Sequence, residues 1–68
     1  MLLTKKSEYA LLSLLSISKH KEPTNVDILS KELQISKSFL AKIMQNLAKA
    51  NLVISHRGVN GGFVLNKP

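Results

Sequence analysis

Four side chains with hydrogen-bonding heads, Ser38, Lys42, Gln45 and Lys49, recur at helical spacing. Turned at about 100° per residue, they share one face. Such a face can donate to, and accept from, the edges of an anionic partner. A second stretch, Ser55 to Leu65 (SHRGVNGGFVL), holds the only arginine of the chain, Arg57, and all three glycines. An arginine among glycines suits a phosphate cradle, a catalytic loop or a hairpin. The cradle fails on spacing. A dinucleotide fingerprint needs G-x-G-x-x-G between a strand and a helix, but here G-x-x-G-G precedes an apolar, strand-like run. No Walker lysine pattern is present either. Catalysis lacks its parts: Ser55 adjoins His56, but every acid is distant in sequence. The residues therefore give no catalytic set and do not suggest an enzyme. His20 and His56 lie far apart and there is no cysteine. That removes thiolate ligands and disulfides, and no metal or cofactor is expected.

The charge distribution favours an anionic partner. Ten Lys and Arg face four acids, for a net charge of +6 at pH 7. Glu8, Glu22, Asp27 and Glu32 all precede Leu33, whereas Lys37, Lys42, Lys49, Arg57 and Lys67 follow it with no acid among them. A basic half of this kind points to nucleic acid or an anionic membrane surface. The first apolar stretch, MLLTKKSEYALLSLLSI, is interrupted by Lys5, Lys6 and Glu8. It is shorter than the roughly 18 apolar residues of a spanning helix, and no cleavage site follows it. A cytoplasmic protein without membrane association is expected. With 68 residues, the chain is read as one domain, 1–68, small enough to bury only about 60% of its unfolded surface.

The elements that would position these residues follow from periodicity and punctuation. Thr4 can cap a first helix to about Lys19. Ala10, Leu11, Leu14, Leu15 and Ile17 form its stripe, and Tyr9 and Leu12 widen it beyond a one-sided face. That breadth predicts contact on more than one side, or with something outside the chain. Pro23 breaks the pattern. Thr24 and Asp27 have capping-box spacing at the start of a second, short helix to about Leu33. Ser36 caps a third helix to about Ala50. Phe39, Leu40, Ile43, Met44, Leu47 and Ala50 lie on its apolar face, opposite Ser38, Lys42, Gln45 and Lys49. Asn51 tolerates the left-handed conformation of a helix stop. LVIS and GFVL then read as two strands joined by a glycine-containing loop.

Three helices, the last two joined by about three residues, Gln34 to Ser36, followed by a hairpin, make a winged helix-turn-helix, mostly α with a two-stranded wing. In such a module the third helix enters a major groove roughly 12 Å wide. Its outward face must carry donors and acceptors. Gln45 can address adenine, and Lys42 guanine or a phosphate. Ser36 and Lys37 sit where free N–H groups and the helix dipole favour a phosphate. Arg57, beside Gly58 with Asn60 at the apex, can reach a narrow minor groove, whose potential attracts arginine. The expected partner is double-stranded DNA. The alternative is a winged helix that pairs with protein through its apolar first helix.

LTKKSEYAL, the IS-SFLAKIMQNLAKANLV segment and S-RG-NGGF together resemble the N-terminal DNA-binding half of the Rrf2 family, over Leu3 to Leu65. The resemblance implies a bacterial transcription regulator, usually a repressor, that binds palindromic DNA as a homodimer. It implies that the third helix, Ser36 to Ala50, reads the major groove, with Ser36, Lys37, Ser38, Ala41, Lys42 and Gln45 on the recognition segment. It places the wing, Ser55 to Phe63, in the minor groove through Arg57. Members usually continue into a long dimerisation helix, and many carry a three-cysteine iron–sulfur segment. Neither is in this sequence, so the cluster does not carry over, and dimerisation of this chain is expected to be weak or absent.

Overall fold

The computed structural model describes residues 4–67. Three helices are followed by a hairpin: α1 (Lys5–Lys19), α2 (Val26–Leu33), α3 (Lys37–Lys49), β1 (Val53–His56) and β2 (Gly62–Leu65). This is the winged helix expected from the sequence.

Each helix starts on a side chain that satisfies a first-turn N–H lacking a helical acceptor. Thr4 accepts from the Ser7 amide at 3.1 Å, and Ser36 from that of Phe39 at 3.3 Å. The second helix corrects the sequence reading. Asn25, not Thr24, caps it, accepting from the Ile28 amide at 2.8 Å. Thr24 is instead drawn into a bridge with Phe63, a long-range pairing that local capping patterns do not register.

The helix ends are equally specific. α2 stops at Gln34, which adopts a left-handed conformation (φ 58°). Its amide donates to the Ser30 carbonyl, and the Ser30 hydroxyl donates to the Ile35 carbonyl. Ile35, in the middle of the turn, is buried and ties that turn to the core. After α3, Asn51 takes φ 62° as expected. Its amide donates to Ala48 O and that of Leu52 to Leu47 O, the paired bonds of a Schellman stop.

The core consists of Ile17, Leu29, Ile35, Leu40, Ile43, Met44, Leu47 and Val53. The apolar face of α3 supplies half of it. Ala50, expected on that face, is exposed because the helix has already ended. Tyr9 closes one side, edge-on to Phe39, with ring centroids 5.4 Å apart.

α1 carries its broad apolar stripe only partly inward. Its inward face carries Ser13 and Ser16 beside Ile17, whereas Leu11, Leu12 and Leu15 are exposed. Small residues let α1 approach its neighbours closely. Their hydroxyls are satisfied: Ser13 donates to the Tyr9 carbonyl at 2.7 Å and Ser16 to the Glu32 carboxylate at 2.5 Å. The wide apolar stripe therefore has an inner part in the core and an outer part facing solvent.

β1 and β2 pair antiparallel, with Val53 opposite Leu65 and His56 opposite Gly62. Among the described residues, no helix is long and apolar enough to cross a membrane.

Candidate nucleic-acid interface

The outward face of α3 carries Ser38, Lys42, Gln45 and Lys49, all exposed. Four buried residues on the opposite face, Leu40, Ile43, Met44 and Leu47, fix its rotation about the helix axis. Ala41, with no polar head, is half-buried at the edge of this face. Among the described residues, no hydrogen bond or ion pair engages Ser38, Lys42, Gln45 or Lys49. Their donors and acceptors face solvent, free for an external partner. At 1.5 Å per residue the helix is about 20 Å long, enough to lie along a groove.

The N-terminal end of α3 is different. Ser36 uses its hydroxyl as a cap acceptor. Lys37, exposed and in the first turn, is held by Asp27 of α2, Nζ to Oδ1 at 2.6 Å. Lys37, by its hydrogen bond and then its charge, keeps the Asp27 carboxyl below the usual carboxylate range.

The wing projects a five-residue loop, Arg57 to Gly61, closed by a bond from the Gly61 amide to the Gly58 carbonyl at 3.0 Å. Val59 and Asn60 occupy its apex, and both are exposed, as are Arg57 and Gly58. Arg57 has no partner among the described residues. The glycines do different work. Gly58 supplies a φ of +115°. Gly61 has no positive φ. It is small because a Cβ there would lie 2.5 Å from the His56 carbonyl oxygen. Gly62 (φ +150°) lets β2 pass against Thr24, whose carbonyl carbon would lie 2.5 Å from an added Cβ.

That contact anchors the wing. Thr24 N donates to Phe63 O at 3.0 Å, and Phe63 N donates to Thr24 O at 2.8 Å. The base of the wing is thus bonded to the segment that enters α2. Composition and spacing did not reveal Thr24 as a wing-positioning residue. The signal in retrospect is Gly62-Phe63, a glycine preceding an aromatic in a short strand.

A second cluster joins α1 to α2. His20 Nε2 lies 2.7 Å from Glu32 Oε1, and Ser16 donates to the other carboxylate oxygen. The Ser16 hydrogen bond lowers the Glu32 carboxyl below its ordinary range; partial burial opposes this, and His20 adds to it.

The Rrf2 family, described as an iron-dependent transcriptional regulator, matches residues 3–68. The chain is 37% identical over 68 residues to the HTH-type transcriptional regulator NsrR of Oceanobacillus iheyensis, covering 97% of this chain and 46% of NsrR. It is 36% identical over 69 residues to IscR of Yersinia enterocolitica, covering 98% of this chain and 42% of IscR. Among solved structures, CymR, the global cysteine regulator of B. subtilis, superposes with a TM-score of 0.91 at 29% identity, over 98% of this chain and 54% of that one. The chain spans about half the length of these relatives. An iron–sulfur cluster is held chiefly by cysteine thiolates. This chain has no cysteine, and the described residues contain no group of three or more His, Cys, Asp and Glu that could hold a metal.

Proposed function

We propose, from the premise that this chain belongs to the Rrf2 family of transcriptional regulators, that residues 1–68 form its DNA-reading unit. The unit binds double-stranded DNA in a bacterial cytoplasm, and in a longer regulator it acts as a repressor. α3 lies in the major groove and the wing in the minor groove. The observation that carries this reading is the unpaired face Ser38, Lys42, Gln45 and Lys49, held outward by the buried residues behind it.

Each residue then has a task set by its chemistry. Gln45 offers a donor and an acceptor on one planar amide, the pattern that pairs with adenine. Lys42 addresses guanine or a phosphate, Lys49 a phosphate, and Ser38 a base edge or backbone oxygen. Ser36 and Lys37 meet a phosphate at the helix N-terminus. Ala41 leaves room for close approach. Arg57 enters the minor groove from the loop, with Gly58 and Asn60 keeping that loop thin. The chain contributes no catalytic step.

Selection from a randomised duplex library at low salt tests this. The reading predicts enrichment of a short motif with an A·T-rich flank where the wing lies. A pool that emerges unchanged contradicts it.

A second reading also has an observation in its favour. Leu11, Leu14, Leu15, Leu52 and Leu65 line one apolar groove, and Leu11, Leu15 and Leu52 are each about half exposed. This face suits pairing with protein, including the homodimer of longer relatives. The 68-residue unit by itself is expected to sediment as a monomer or weak dimer. A tight dimer at micromolar concentration that is lost in Leu15→Lys would favour the pairing reading.

A further inference from the structure

We propose that Asp27 competes with DNA phosphate for Lys37, and so sets the affinity of the N-terminal end of α3 for DNA. This rests on the DNA-binding reading and deepens it.

Of the four acids in the chain, Glu8 pairs with Lys5 within α1 and Glu32 is engaged by Ser16 and His20. Among the described contacts, only Asp27 reaches α3. The first turn of α3 itself carries no acid. Asp27 therefore places a single negative charge at an otherwise acid-free, cationic helix end. It holds the one lysine there at 2.6 Å, with 65% of the Lys37 side chain and 62% of the Asp27 side chain exposed.

Exposed ion pairs are weak contacts, open to exchange with solvent and salt. Lysine is a point charge on a flexible stem, so it can swing from a carboxylate to a nearby phosphate. When Lys37 does so, Asp27 loses its ion-pair partner next to the DNA and keeps only the weaker field of Lys31, one turn along α2. It then either repels the phosphate or takes up a cation. Either way, binding at this end releases less than one net counterion. The pair thus weakens general phosphate attraction, while the Lys42 and Gln45 face is untouched. DNA discrimination then depends more on base contacts and less on charge.

The opposite role is a brace, in which the ion pair fixes α3 against α2 and so promotes binding. The two roles predict opposite signs. The experiment measures affinity for a random-sequence 20-base-pair duplex across a salt series, for the parent, Asp27→Asn, Lys37→Gln and the double variant. Circular dichroism and thermal melting establish that each is folded. Asp27→Ser serves as a second variant if Asp27→Asn melts early.

Competition predicts that Asp27→Asn tightens binding about three- to tenfold and steepens the slope of log K against log salt by up to about 0.9, the value of one phosphate contact. It also predicts that most of this gain disappears in the Lys37→Gln background. Unchanged or weaker binding by a folded Asp27→Asn overturns the proposal. An equal gain in both backgrounds also overturns it, since it assigns the effect to repulsion without Lys37. If the parent fails to bind duplex even at low salt, the DNA-binding reading itself fails, a result distinct from either.

Discussion

Lys42 and Gln45 are three residues apart and so lie one above the other on α3, while Arg57 reaches out from a different element. They make separable contributions. Gln45→Ala removes a bidentate amide and is expected to cost about 1–3 kcal/mol at one base position. Arg57→Ala is expected to weaken binding and relax the A·T preference beside the half-site. Binding to a randomised pool measures both, and parental behaviour in both variants contradicts the docking geometry. Glu32 makes a prediction about stability. Its folded-state pKa lies below the ordinary value, through Ser16 and then His20. The ionised carboxylate therefore stabilises the fold at pH above its unfolded pKa, and that contribution is lost as the pH falls through the folded one. Glu32→Gln should be less stable at neutral pH and lose less stability on acidification. Acid titration of the helical signal reads this, and an acid limb identical to the parent's contradicts it.

At the scale of elements, what the sequence disclosed depended on the range of the interaction. The Ser36 cap and the Asn51 stop act within one turn, and both were legible. The polar face of α3 was legible for the same reason, because periodicity is local. Thr24 was misread as a cap because its fate is set by Phe63, far along the chain. The inner face of α1 was not legible because leucine outweighs serine in any stripe. Here close helix packing and the hydroxyl acceptors Tyr9 O and Glu32 place Ser13 and Ser16 inside. The Asp27–Lys37 pair was also hidden, since it forms only when the turn at Gln34 brings two helix starts together. Gly62→Ala tests the Thr24 bridge. The new Cβ would press on backbone, and overpacking of this kind costs about 1–3 kcal/mol. For a domain this small, each kcal/mol lowers Tm by about 4–8 °C. A melt within 1–2 °C of the parent's would show that β2 and Thr24 are not held as described.

At the scale of the whole molecule, the DNA-facing cations and the apolar groove draw on different residues. The cations Lys42, Lys49 and Arg57 sit on α3 and the wing loop, whereas the groove is built from α1, Leu52, the end of β2 and the stem of Lys67 that follows it. One chain can therefore use one surface for DNA and another for pairing, with no residue shared between Ser38–Lys49 and Leu11–Leu15. The family relationship gives the same division a context, since relatives about twice as long share this half. The central claim is that the outward face of α3 and the wing bind duplex DNA through several phosphate contacts. The most direct test is the salt dependence of duplex affinity. Lys42, Lys49 and Arg57 predict a straight line of log K against log salt with a slope of about −2.7, to which Lys37, held by Asp27, adds less than about 0.9. No measurable affinity at low salt, or an affinity indifferent to salt, would contradict the account.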